Sequence, residues 1–188
     1  MSFASRYPHR HSALLSIREI AVFAMLGALM MVCDLVMNFI PNVHLGGMFI
    51  VTFTIVYRAK ALLPIYVYVF LIGLFEGFGL WWFSYLYVWP ILWLMIMLIP
   101  KKIPKRIAPV VYCVVCALHG FAFGFFWIPS QMLFFHFSFE QVLVWWKWGF
   151  ITADLFHGIG NLVAGVLIVP LATLLRRLNK GIGLTRYA

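Results

Sequence analysis

Six apolar runs constrain this chain more than any other feature. They lie at about 17–39, 45–57, 61–79, 80–99, 107–127 and 149–175. A spanning helix needs about 20 apolar residues, with roughly 17–25 tolerated. The run at 45–57 is short and is expected to start in the preceding loop or to lie tilted. The runs are continuous, whereas β-barrel strands would alternate, so they read as helices. Composition agrees: 65% of residues are hydrophobic and 10% charged, against about 25% charged in a soluble domain. The expectation is an all-α integral membrane protein, a single domain over residues 1–188 with six transmembrane helices in one bundle.

The cations between the runs alternate. Arg6 and Arg10 precede the first run and Arg18 stands at its start, and the next connection has none. Arg58 and Lys60 follow the second run, and the connection after the third has none. Lys101, Lys102, Lys105 and Arg106 follow the fourth, Lys147 alone follows the fifth, and Arg176, Arg177, Lys180 and Arg186 close the chain. Six crossings put thirteen of the fourteen cations on one side. Positive loops stay cytoplasmic, so both termini are expected inside.

This placement also disposes of a nucleic-acid reading of the net charge of +9: cations flanking membrane segments are explained by anionic lipid. The first apolar run is too long for a cleavable leader and lacks a small-residue cleavage site. Cys113-x-x-Cys116 has no second ligand pair, so both read as small apolar residues on a helix. No metal site or cofactor is expected. Residues 1–16, with Pro8, His9 and His11, read as a cytoplasmic tail. Pro90 is expected to kink the fourth run, because its ring removes a backbone hydrogen bond. Residues 128–148 read as the longest outer loop.

An ionisable group costs about 2.5–3.5 kcal/mol at the centre of a membrane helix, so each needs a reason. With the orientation above, Asp34, His44, Glu76, Glu140, Asp154 and His157 all fall in the outer half, and of the acids only Glu19 is inside. Asp154, His157 and Asn161 share one helix face at i, i+3 and i+7. Trp81, Tyr85 and Trp89 do so on the fourth run, and His119, Phe123 and Trp127 on the fifth. Aromatic walls with a few convergent polar groups make a small-molecule pocket. The competing explanations are interface anchoring for the aromatics and hydrogen bonding between helices for the polar groups. The candidate substrate-binding set is Asp34, His44, Glu76, Trp81, Tyr85, Trp89, Trp127, Asp154, His157 and Asn161, with His119 read as structural. On the inner half of the first run, Ala21, Ala24 and Ala28, with Gly27, form a strip of small residues that lets another helix approach closely.

The same features carry a resemblance. Six spans, both ends inside, Ala24-x-x-x-Ala28 early in the first span and Ile40-Pro-Asn-Val-His44 opening the first outer loop resemble the substrate-binding S-components of energy-coupling factor (ECF) transporters, bacterial vitamin importers of the cell membrane. The stretch 40–44 is similar to that of thiamine-binding members; their acidic and aromatic set in the later helices has no residue-for-residue match here. The resemblance implies a multi-pass subunit that captures a vitamin and topples to carry it inward. It implies a transmembrane T subunit as partner, docking on Ala21, Ala24 and Ala28, and two cytosolic ATPases. The aromatic content, 19%, favours cobalamin; pantothenate and thiamine are the alternatives. The chain has no phosphate-binding loop of its own and no hydrolase signature, so an enzyme is not expected. A stand-alone secondary transporter is the rival reading, although no inverted repeat is evident.

Overall fold

The computed structural model describes residues 15–187; most of the expected tail, residues 1–14, lies outside them. All regular structure among the described residues is helical. Four helical stretches are long and apolar enough to cross a membrane: Ile17–Met37, Gly46–Glu76, Leu80–Leu98 and Ala108–Phe135. A fifth exists if Phe139–Gly165 and Ile168–Gly181, bent by 52°, count as one.

Helix α1 (Ile17–Met37) begins at a capping box: the Ser16 hydroxyl accepts from the Glu19 N–H at 3.3 Å, and the Glu19 carboxylate accepts from the Ser16 N–H at 2.9 Å. Two orphan donors are satisfied reciprocally.

The stretch 46–76 is not one rod. Helix α2 (Gly46–Tyr57) ends at Arg58, where φ of 54° breaks the helix before a 3-10 turn over Arg58–Ala61 and helix α3 (Leu62–Glu76). Contacts with α1 fix the directions. His44, just before α2, meets Asp34 near the far end of α1, while Lys60, just after it, meets Glu19 at the start of α1. Then α3 climbs back alongside α1: a Cβ on Gly27 would lie 2.9 Å from the Pro64 carbonyl oxygen and 2.5 Å from Val67, and Tyr68 reaches Asp34. Thus α2 runs against α1, and α3 runs with it. The short run at 45–57 is explained by its place: every residue from Gly47 to Thr54 is buried. A helix apolar all round belongs at the centre.

Helix α4 (Leu80–Leu98) returns beside α3, with the Trp82 indole donating to the Val69 carbonyl at 2.7 Å and the Trp93 indole to that of Arg58 at 3.0 Å. The helical run continues through Pro90. Pro90 leaves the Leu86 carbonyl without its usual i+4 donor, and the Tyr66 hydroxyl supplies one at 3.1 Å.

Helix α5 (Ala108–Phe121) and helix α8 (Leu155–Gly165) pack antiparallel and very close. A Cβ on Gly158 would sit 2.1 Å from the Phe121 ring, one on Gly120 2.8 Å from the His157 carbonyl oxygen, and one on Gly165 2.7 Å from Cys113 Sγ. Small residues at such a seam let backbones approach. Cys113 and Cys116 therefore act as small residues, Cys113 donating to the Leu162 carbonyl at 3.1 Å.

Residues 128–148 depart from expectation. They form no loop: after a break at Ala122 the chain continues as helix α6 (Phe123–Phe135), turns at His136 (φ 55°) and enters helix α7 (Phe139–Gly149). A capping box at Ser138 and Gln141 starts α7. A wide π turn over Phe150–Asp154 leads into α8, and helix α9 (Ile168–Gly181) closes the bundle.

The two ends of the bundle differ chemically. At the basic end Glu19, fully buried, receives Lys60 Nζ at 3.0 Å and also binds Arg186 and the Tyr187 hydroxyl. Glu19, the one acid expected among the cations, stays buried there because three partners and the Ser16 cap satisfy its oxygens. Asp34, Glu76 and Asp154 belong to the opposite, acidic end.

Candidate functional site

At the acidic end, side chains from α1, the α1–α2 connection, α3, α4, α5, α6 and α8 converge. Asp34, near the end of α1, is buried. Its Oδ1 lies 2.9 Å from His44 Nδ1, and its Oδ2 accepts from the Tyr68 hydroxyl at 3.1 Å. The His44 ring stacks on that of His157 at 5.1 Å, and His157 packs against Phe123 at 4.7 Å. One contact chain therefore links α1 to α8 through two imidazoles.

Aromatic rings form the rest. Trp89 is the hub: Tyr85 lies 5.4 Å away, Phe123 5.3 Å, His119 6.0 Å and Tyr68 6.3 Å. Tyr85 continues to Trp81 at 5.4 Å and to Trp127 at 6.0 Å. The helix spacing of Trp81, Tyr85 and Trp89 puts all three on one face, as expected, and α6 brings Trp127 across to meet them. Gly46 lies beside Trp89, whose ring would be in ordinary contact, at 3.7 Å, with a Cβ there. Edge-to-face contacts of this kind add about 0.5–1.5 kcal/mol per pair.

The polar triplet that runs from the π turn into α8 divides. Asp154 is buried, and its Oδ1 accepts from the Gly124 N–H at 2.9 Å. Gly124 stands in the first turn of α6, where the break at Ala122 frees backbone donors; Asp154 thus caps α6 from another helix. Asn161 donates to the Cys116 carbonyl at 3.1 Å and stands against Gly47. Both tie helices together, and His157 alone of the three enters the aromatic cluster. Glu76 is exposed at the end of α3, an acid within electrostatic reach of Asp34 and His44.

Several buried polar atoms here lack a partner among the described residues: the donors Trp89 Nε1 and Trp127 Nε1, and His119 Nδ1, an acceptor while Nε2 carries the ring proton. Such groups are uncommon, because each costs about 1–3 kcal/mol. His119 is otherwise satisfied as expected, its Nε2 lying 3.0 Å from the Val88 carbonyl oxygen. Tyr68 and Phe123 were not in the predicted set. Phe123 shares the i, i+4 spacing with His119 and Trp127, so a signal existed; Tyr68 sits in a run without polar neighbours and only the fold brings it to Asp34.

The alanine strip lies elsewhere. Ala21, Ala24 and Ala28 are all exposed, on the half of α1 nearer the basic end, while Gly27 turns inward against α3. Set against known proteins, the chain matches no family model, no curated protein and no solved structure.

Proposed function

We propose that this protein is the substrate-capturing membrane subunit of an ECF-type importer in a bacterial cell membrane. It crosses the bilayer six times, with the basic end and both termini in the cytoplasm. The observation that carries the reading is the division of the bundle. An aromatic cluster with unsatisfied donors and acids occupies the end away from the cations, and an exposed strip of alanines occupies the other half of α1. That strip is the docking face for a transmembrane T subunit, and two cytosolic ATPases supply the energy.

Trp89 Nε1 and Trp127 Nε1 call for acceptors on the ligand, while exposed Glu76 and the faces of Trp81, Tyr85 and Trp89 favour a cation. A cationic ligand of vitamin size built from planar heterocyclic rings, such as thiamine, meets both demands. The rings now stand 4.7–6.3 Å apart between centroids, so cobalamin, the ligand favoured by aromatic content alone, requires them to separate widely. Mass spectrometry of small molecules retained by the purified chain tests the capture role. A heterocyclic vitamin retained in equimolar amount is the expected result. A red corrin would shift the reading to cobalamin. An empty chain that also fails to co-purify with T and ATPase subunits would remove the importer reading.

A further inference from the structure

The basic end holds a second cavity, remote from the aromatic cluster. It lies between α2, the α4–α5 connection, α5 and α9, and encloses about 450 Å³, within the roughly 300–1,000 Å³ typical of ligand sites. Three cations line it: Lys101, Lys105 and Arg176. Its floor is apolar and aromatic, with Ile55 and Tyr112. Ala108, the first residue of α5, also lines it, so the positive end of that helix dipole adds to the cationic wall.

No carboxylate answers these charges among the described residues. Glu19 is occupied by Lys60, Arg186 and Tyr187. Asp34, Glu76 and Asp154 stand at the acidic end, and Glu140 lies on α7. Residues 1–14 contain no Asp or Glu. Arg176 spends one N–H on the Ile55 carbonyl, at 3.4 Å, which fixes its guanidinium at the cavity wall and leaves other donors available. The ligand chemistry is therefore an anionic phosphate group bearing an apolar extension, at the level where a bilayer presents its headgroups.

We propose that this cavity is a specific site for an anionic phospholipid, with the phosphate held by Lys101, Lys105 and Arg176 and the glycerol and upper acyl chain against Ile55 and Tyr112. Basic pockets between transmembrane helices on the cytoplasmic side take such headgroups. The site rests on the membrane reading of the chain and is independent of vitamin capture, which has its own readout in the retained small molecule.

Native mass spectrometry of the full chain, titrated with phosphatidylglycerol or phosphatidylcholine, tests it. Phosphatidylglycerol adducts are expected at low molar ratio, with phosphatidylcholine far weaker. The variant Lys101→Gln/Lys105→Gln/Arg176→Gln should lose affinity by about a hundredfold, roughly fivefold per cation. The exposed pair Lys101→Gln/Lys105→Gln, which leaves the Arg176–Ile55 bond intact, should lose about twenty-five-fold on the same scale. A control, Lys102→Gln/Arg106→Gln/Lys180→Gln, removes equal charge from the same end outside the cavity and should bind as the parent does. Equal losses in control and cavity variants would show diffuse attraction and overturn the site. So would unchanged binding in the cavity variants, or displacement of the lipid by equimolar inorganic phosphate, which would make free phosphate the ligand.

Discussion

Removing Asp34 tests the join between α1 and the rest of the site. Its two oxygens hold His44 at 2.9 Å and the Tyr68 hydroxyl at 3.1 Å. In Asp34→Ala the Tyr68 hydroxyl stays buried, in a residue 2% exposed, with no acceptor; that costs about 1–3 kcal/mol. Loss of the His44 contact adds about 1 kcal/mol, discounted because the His44 side chain is 29% exposed. The sum is about 2–4 kcal/mol, or a fall in Tm of roughly 5–15 °C for a chain of this size. Asp34→Asn should cost under about 1 kcal/mol, because the amide oxygen still accepts from Tyr68 and the amide nitrogen donates to His44 Nδ1. Tyr68→Phe should fall between, since it leaves one carboxylate oxygen unsatisfied at about 1–2 kcal/mol. Thermal unfolding of the three variants in one detergent gives the order. Asp34→Ala unfolding at the parent temperature, or below it by no more than Asp34→Asn, would refute the reasoning.

Two further perturbations probe the packing. Gly158→Leu drives a side chain into the Phe121 ring, already 2.1 Å from a Cβ, and should part α5 from α8. The expected result is loss of monodisperse protein in size-exclusion chromatography, while Gly149→Leu, with open space around it, elutes as the parent does. Glu19→Ala removes the acceptor shared by Lys60, Arg186 and Tyr187. Hydrogen exchange over residues 182–187 should rise at least tenfold while α5 and α8 keep their protection; an unchanged rate would show that the C-terminal segment is held otherwise.

Much of this arrangement is legible in the chain because the strongest signals are local. Cation alternation separates the two ends, and helical spacing gathers Trp81, Tyr85 and Trp89. The Ser138 and Gln141 capping box was also readable, but the apolar, aromatic surroundings of 128–148 obscured a helical hairpin. What the sequence hides is pairing at a distance. Glu19 and Tyr187 are 168 positions apart, and nothing near Glu19 announces a partner beyond its own cap. Pro90 announces a lost backbone hydrogen bond, but nothing near it announces that the Tyr66 hydroxyl satisfies the Leu86 carbonyl it frees. Asp154 and Asn161 share a face with His157, yet the backbone groups of Gly124 and Cys116 claim them first; only the break at Ala122 and the close α5–α8 seam create that demand.

Ala24→Trp and Trp89→Ala, compared in one system, probe the account's central division most directly. Ala24 is exposed, so a bulky residue there leaves the bundle intact. The quantities to record are ligand affinity of the lone chain and uptake by the chain reconstituted with T and ATPase subunits. Ala24→Trp should keep affinity within about twofold and lose uptake. Trp89→Ala should lose affinity at least tenfold while still co-purifying with the T subunit. The opposite pattern, with affinity lost at Ala24 and kept at Trp89, would contradict the division of the bundle into a binding end and a docking face.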